Sequence, residues 1–582
     1  MSVLRRFVPF SPSTTAVQGA TYLLCISLFS ISFLVFLNSS VSFVVTDLIG
    51  QKKGVGDVVG TLGFVDELIV LVACPAWGLA SDRLGVRWVA VLGYIIIGVA
   101  LMVFVQARNV YPELVLARIL FAVGASASAT MVTAILPSLT DETEDEPSDD
   151  LRSRSKSPRN QRHSMAFSVE SELTITPERY TRTLSNDGVP RAGNNENGPP
   201  PKSAQLAGFV GLFTGAGALV ALLLFLPLPA RFSQISGVTQ ADAVTYSFYV
   251  VGGVALVVAV IVFFGLRGIK GEEGKGWKLL FGTRTSDYGE EEYAGPSGRD
   301  TSRRQVVPYV HLLKDSIFLA FTDSRIALGY LGGFVARAST VAISLFIPLF
   351  VNTFFISNGF CQGSPHDPSP ELKKECRSAY ILSSILTGVA QMAALLCAPV
   401  FGYLSHRGGK GPNIPVIISS VFGMVGYVVL PQLSSPEFKD EDGRGGSPWI
   451  FLVVILIGIS QIGAIVCSLS SLSEGVLATD TSRPSLLEPS LAPLEDESTE
   501  ADPLIRISTE RNHVSRVQLK GSIAGVYSLS GGLAILLLTK LGGFLFDKMT
   551  TGAPFYMMAA FNGVLLLASL GIDASQTYSR FQ

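Results

Sequence analysis

The sequence predicts an all-α membrane protein of twelve transmembrane helices arranged as two pseudo-symmetric six-helix bundles. Three observations carry this. Of 582 residues, 48% are hydrophobic and 15% charged, against about 25% charged in soluble domains. Apolar runs of bilayer length recur twelve times. A long polar stretch divides them into six and six.

A bilayer core takes roughly 20 apolar residues in helical form, because each backbone amide must be bonded inside its own segment. The first run, 17 to 37, follows Arg5 and Arg6 but is too long for the apolar core of a signal peptide, so it reads as a span. The rest of the first half follows at 58 to 80, 88 to 107, 114 to 136, 204 to 226 and 245 to 266. The second half spans 326 to 350, 380 to 403, 413 to 431, 450 to 472, 521 to 541 and 553 to 572. Residues 1–136 thus hold helices one to four, 204–266 helices five and six, 325–472 helices seven to ten, and 520–582 the last two.

Between them lie two loops, 137–203 and 473–519, and a central linker, 267–324, all rich in Ser, Pro, Gly and charge. Such segments bury too little apolar surface to fold alone, and disorder is expected. The three follow spans four, six and ten, so they share one side. They carry Arg152, Arg154, Lys156, Arg159, Arg162, Arg267, Lys270, Lys275 and Lys278. The positive-inside rule makes that side, and both termini, cytoplasmic.

Cys25, Cys74, Cys397 and Cys467 lie in apolar runs and read as small hydrophobes. Cys361 and Cys376 share a polar loop on the opposite, non-cytoplasmic side, which makes them a disulfide candidate. The sequon at Asn38 falls at the end of the first predicted span, too near the membrane for glycosylation.

A short turn repeats between the halves. After the second span comes Gly78-Leu79-Ala80-Ser81-Asp82-Arg83-Leu84-Gly85-Val86-Arg87, and after the eighth comes Gly402-Tyr403-Leu404-Ser405-His406-Arg407. Glycine allows close helix approach, Asp82 can cap a helix, and Gly85 permits a tight turn. Placed between these spans, the pattern resembles the G-x-x-x-D-R-x-G signature of the major facilitator superfamily. The resemblance covers all twelve spans. It implies a transporter working by alternating access, with Gly78, Asp82, Arg83, Gly85 and Arg87 as its cytoplasmic gate. His406 stands where Asp is expected, so the second copy is degenerate. Gly211 and Gly215 match part of the fifth-span glycine motif of drug antiporters, but its proline is missing; the general pattern is still closest to drug-efflux relatives.

An ionisable side chain at the bilayer centre costs at least ~2.5 kcal/mol and marks a wet cavity or a partner. Asp66 and Glu67 lie near the middle of the second span and Arg337 near the middle of the seventh, at similar depth, with Gln391 and Gln461 also at the midplane. Arg118 is placed only about four residues, ~6 Å, from the outer end of its span. By the resemblance, Arg337 and Gln461 would contact solute and Arg118 would face the outer vestibule. A guanidinium suits an anionic or carboxylate-bearing solute; an internal bridge from Arg337 to Asp66 or Glu67 is the alternative. Asp66 and Glu67 point about 100° apart, so one faces the cavity and the other packs. Whichever is desolvated is a proton carrier, unless an arginine locks it.

No P-loop, H-E-x-x-H or metal-ligand cluster occurs, so no enzyme, cofactor or metal is expected. The net charge of -2 gives no reason to expect nucleic acid as a partner. The expected partners are a small solute, protons and the lipid bilayer, with the chain monomeric. Glu500, Leu504 and Ile505 resemble an acidic dileucine signal for a sorting adaptor, favouring a vacuolar or other internal membrane over the plasma membrane. A transporter-shaped solute receptor signalling through the loops is the competing function.

Overall fold

The computed structural model describes residues 10–51, 55–140, 202–235, 237–270, 272, 275–277, 309–359, 377–407, 413–438, 445–477 and 519–581. Twelve helices among them are long and apolar enough to cross a membrane. The first six are Ala16–Leu48, Val58–Leu84, Val86–Phe104, Val110–Thr140, Lys202–Phe232 and Gln240–Gly265. The second six are Ser324–Ser357, Ile381–His406, Ile414–Gln432, Trp449–Leu477, Lys520–Lys548 and Ala553–Tyr578. No strand occurs among the described residues. The candidate disulfide Cys361 and Cys376 and the sorting residues Glu500, Leu504 and Ile505 lie outside the described residues.

Local chemistry starts these helices. Thr15 accepts from the Gln18 amide while the Gln18 side chain accepts from the Thr15 amide, a capping box that opens the first span. Thr239 and Asp242 do the same for the sixth, and Asp323 caps the seventh. The second and third spans are separated by Gly85 alone, whose φ of 99° favours glycine.

Two differences from the sequence reading matter. The first span runs on to Leu48, so Asn38 sits inside a helix rather than at its end. Hydropathy fades at Asn38, Ser39 and Ser40, yet Ser40 is fully buried and Asn38 turns toward the fourth span, where it accepts from Arg118. The central linker also contains a helix, Tyr309–Thr322, which buries Leu312 and Ser316; the Tyr330 hydroxyl donates to the Ser316 carbonyl at 3.2 Å. A linker rich in charge overall still carries this locally amphipathic stretch.

The halves meet through small residues. A Cβ on Gly78 of the second span would lie 2.9 Å from the Gly525 Cα of the eleventh. A Cβ on Gly402 of the eighth would lie 2.8 Å from the Gly208 Cα of the fifth. The repeated turn thus marks two symmetry-related crossings between halves. Within the first half, the Gly124 to Ala129 stretch packs tightly: a Cβ on Gly124 would come 2.9 Å from the Gly93 carbonyl oxygen. Gly211 and Gly215 face the side chains of Ile462 and Leu395 across the half boundary.

Candidate functional site

Midway along the helices a cavity of about 330 Å³ opens between the first, second and fourth spans on one side and the seventh and eleventh on the other. Asn38, Asp66, Glu67, Arg118 and Arg337 line it. Its apolar wall includes Leu62, Val70, Phe121 and Ile535.

Asp66 and Arg118 form a bidentate ion pair. Arg118 Nε donates to Asp66 Oδ1 at 2.8 Å, and Nη2 donates to Asp66 Oδ2 and, at 2.6 Å, to Asn38 Oδ1. Arg118 is 3% exposed, and its Nη1 is buried without an acceptor. The sequence reading put Arg118 near the outer end of its span. The helix begins earlier, at Val110, and brings the guanidinium to the depth of Asp66.

Glu67, the next residue, projects differently. Its Oε2 is buried with no hydrogen-bond partner. Arg337 lies across Gly531, where an added Cβ would be 2.7 Å from the arginine Cγ. Glu67 and Arg337 feel each other electrostatically, but neither makes a hydrogen bond or ion pair among the described residues. The bridge from Arg337 to Asp66 or Glu67, held open on sequence grounds, is therefore not formed. Gln461 is buried and donates from Nε2 to Thr340 Oγ1 at 2.9 Å, tying the tenth span to the seventh. Gln391 is exposed and is not among the residues lining this cavity.

At the insert-bearing end the helices close. Asp82 accepts from the amides of Gly521 and Ser522, each at 2.7 Å, and from the Ser522 hydroxyl. One carboxylate thus caps the N-terminus of the eleventh span, where unpaired amides and the helix dipole favour negative charge. Arg83 is buried, and its carbonyl accepts from the Gly276 amide at 3.0 Å. Arg87 lies over the rings of Trp88 and Phe263, 5.3 and 5.1 Å from their centroids.

Sequence reasoning missed two charges here. Glu272, in the linker, accepts from the Val86 amide at 2.6 Å, from Lys520 Nζ at 2.7 Å and from Lys275 Nζ at 3.1 Å. Burial alone would raise its carboxyl, but the two ammonium groups and their hydrogen bonds outweigh that and hold it below the usual carboxylate value. Lys520 is 2% exposed and also donates to Ser138 Oγ at 2.6 Å. A lysine opening an apolar run and an acid amid linker basics were the only signals. At the far end, Lys540 Nζ sits 4.0 Å from the Phe64 ring centroid, so the second and eleventh spans touch there as well.

The sequence model of the Major Facilitator Superfamily matches residues 28–146 and 196–481. The chain belongs to the major facilitator superfamily. This facilitator is accordingly a transporter and not an enzyme. Its fold is similar to the proton:xylose symporter XylE bound to 6-bromo-6-deoxy-D-glucose, with a TM-score of 0.51 at 11% identity over 96% of this chain and 95% of that chain. It is equally similar to the human organic anion transporter MFSD10 (TETRAN), with a TM-score of 0.51 at 12% identity over 95% of this chain and 98% of that chain. No curated protein sequence matches this facilitator.

Proposed function

We propose that the chain is a secondary active transporter that moves a small organic solute through the Glu67 and Arg337 cavity by alternating access, with protons as the coupling ion. The observation that carries this is the pair of opposite charges, Glu67 and Arg337, lining one cavity and both without hydrogen-bond or ion-pair partners among the described residues. Unpaired charge away from bulk water costs several kcal/mol, and function is the reason to retain it.

Asp66 is spent on Arg118, which leaves Glu67 as the carboxylate free to load and release a proton. The Asp82 cap and the Glu272 bridge to Lys520 hold one end shut in this state, and release of both would open it. The basic inserts support a cytoplasmic placement of that end. The acidic dileucine-like Glu500, Leu504 and Ile505 support an internal membrane, with a sorting adaptor as partner. Imaging after Leu504→Ala and Ile505→Ala tests the address; no redistribution counts against it.

The functional test is reconstitution in liposomes with an imposed pH gradient. Glu67→Gln abolishes pH-driven flux while Asp66→Asn mainly destabilises. An unchanged pH dependence in Glu67→Gln sinks proton coupling. Saturable solute binding with no flux under any gradient favours a solute receptor instead.

A further inference from the structure

The charges of the cavity do not balance at random. Asp66 and Arg118 cancel in a closed bidentate pair. What remains is one anion, Glu67, and one cation, Arg337, which line the same 330 Å³ space without pairing to each other. Arg118 contributes one more donor, the buried Nη1 that lacks an acceptor.

We propose that the transported solute is a zwitterion of amino-acid type, its carboxylate held by Arg337 and its ammonium by Glu67. This rests on the transport reading of the cavity given above. While Glu67 is ionised, a simple anion would pair with Arg337 but leave Glu67 unpaired and add a second negative charge beside it. A simple cation would fail in the mirror sense at Arg337. A neutral solute would leave both charges stranded. A zwitterion satisfies each. The volume lies at the low end for small-molecule sites. Leu62, Phe121 and Ile535 offer an apolar wall for the solute's body.

The arrangement also sets the sense of coupling. Glu67 can hold a proton or the solute ammonium, not both, so proton entry expels the solute and solute entry releases one proton. Proton and zwitterion therefore exchange. The charged and titratable groups around Glu67 that bias this competition are Asp66 and Cys74 on its own span, Arg118 on the fourth and Arg337 on the seventh.

The test uses the purified full-length protein and a panel of the twenty common α-amino acids, each beside its amine lacking the carboxylate and its acid lacking the ammonium. Binding is read by ligand-induced thermal shift. At least one amino acid binds at least about tenfold tighter than both single-charge analogues. Glu67→Gln narrows the gap to the acid below about threefold, and Arg337→Gln narrows the gap to the amine likewise. Glu67→Asp and Arg337→Lys, which keep each charge, retain the preference for the amino acid and guard against misfolding. The proposal is overturned if no amino acid binds, or if an analogue binds the parent protein as tightly as its amino acid. Flux assays on the same samples separate the two readings. Selective binding without flux leaves the zwitterion site standing and overturns transport; flux of single-charge solutes without discrimination does the reverse.

Discussion

Asp82 and Gly521 lie 439 positions apart in the chain and are joined by a 2.7 Å hydrogen bond from the Gly521 amide to Asp82 Oδ1. The same carboxylate takes the Ser522 amide and hydroxyl, so one side chain of the first half caps a helix of the second. The two halves are therefore tied at this end by an aspartate in a turn that local sequence alone would assign to its own neighbouring helix.

Replacing Asp82 with alanine removes three hydrogen bonds to a charged acceptor, each worth about 1.5–3 kcal/mol. Cys74 is 2% exposed and lines the cavity. Its maleimide labelling from the insert-bearing side, resolved by mass spectrometry, rises at least about tenfold in Asp82→Ala. Labelling at the parent rate would show that the cap does not hold this end shut.

Gly78→Val and Gly402→Val each force a side chain into a backbone of the other half, 2.9 Å from the Gly525 Cα and 2.8 Å from the Gly208 Cα respectively. Overpacking of this kind costs about 1–3 kcal/mol. Both variants lower the melting temperature in detergent and slow flux. Because the crossings are symmetry-related, the two losses are of similar size; a silent Gly402→Val would break that equivalence.

Asp66→Asn or Arg118→Gln alone strands a charge inside the bundle and destabilises by about 3–5 kcal/mol. The double variant strands none and recovers much of that loss. A double-mutant cycle from unfolding midpoints measures the coupling, and strict additivity would rule out the pair as a stabilising unit.

Glu272 supplies a pH dependence whose sign follows from its lowered carboxyl. A group depressed in the folded state stabilises fully above its unfolded value, near 4.5, and loses that contribution as pH falls through the lower folded value. The melting-temperature gap between parent and Glu272→Gln is therefore constant from neutral pH to about pH 5.5 and shrinks below about 4.5. A gap that grows on acidification would contradict the bridge to Lys520.

Hydropathy is a local quantity, so the twelve spans and the division into halves were legible in the sequence. The turn at Gly78 to Arg87 was legible too, because its residue types serve a tight turn next to a close helix crossing. The depths of Asp66, Glu67 and Arg337 followed from counting along a helix, since rise per residue is constant. Asn38 was misread because a polar residue at the edge of an apolar run looks like a helix end, whereas here it answers Arg118.

Rotation and pairing belong to the tertiary structure alone. That Asp66 rather than Glu67 closes on Arg118, and that Arg337 makes no ion pair among the described residues, depends on how helices far apart in sequence turn toward one another. Glu272 meets Lys520, 248 positions away in the chain, for the same reason. Each helix can turn about its axis without changing its hydropathy, and only packing against the other spans selects the angle that leaves Glu67 and Arg337 facing one cavity. The sequence by itself determined which charges enter the membrane; the fold decided which are cancelled and which line the cavity without an ion pair among the described residues.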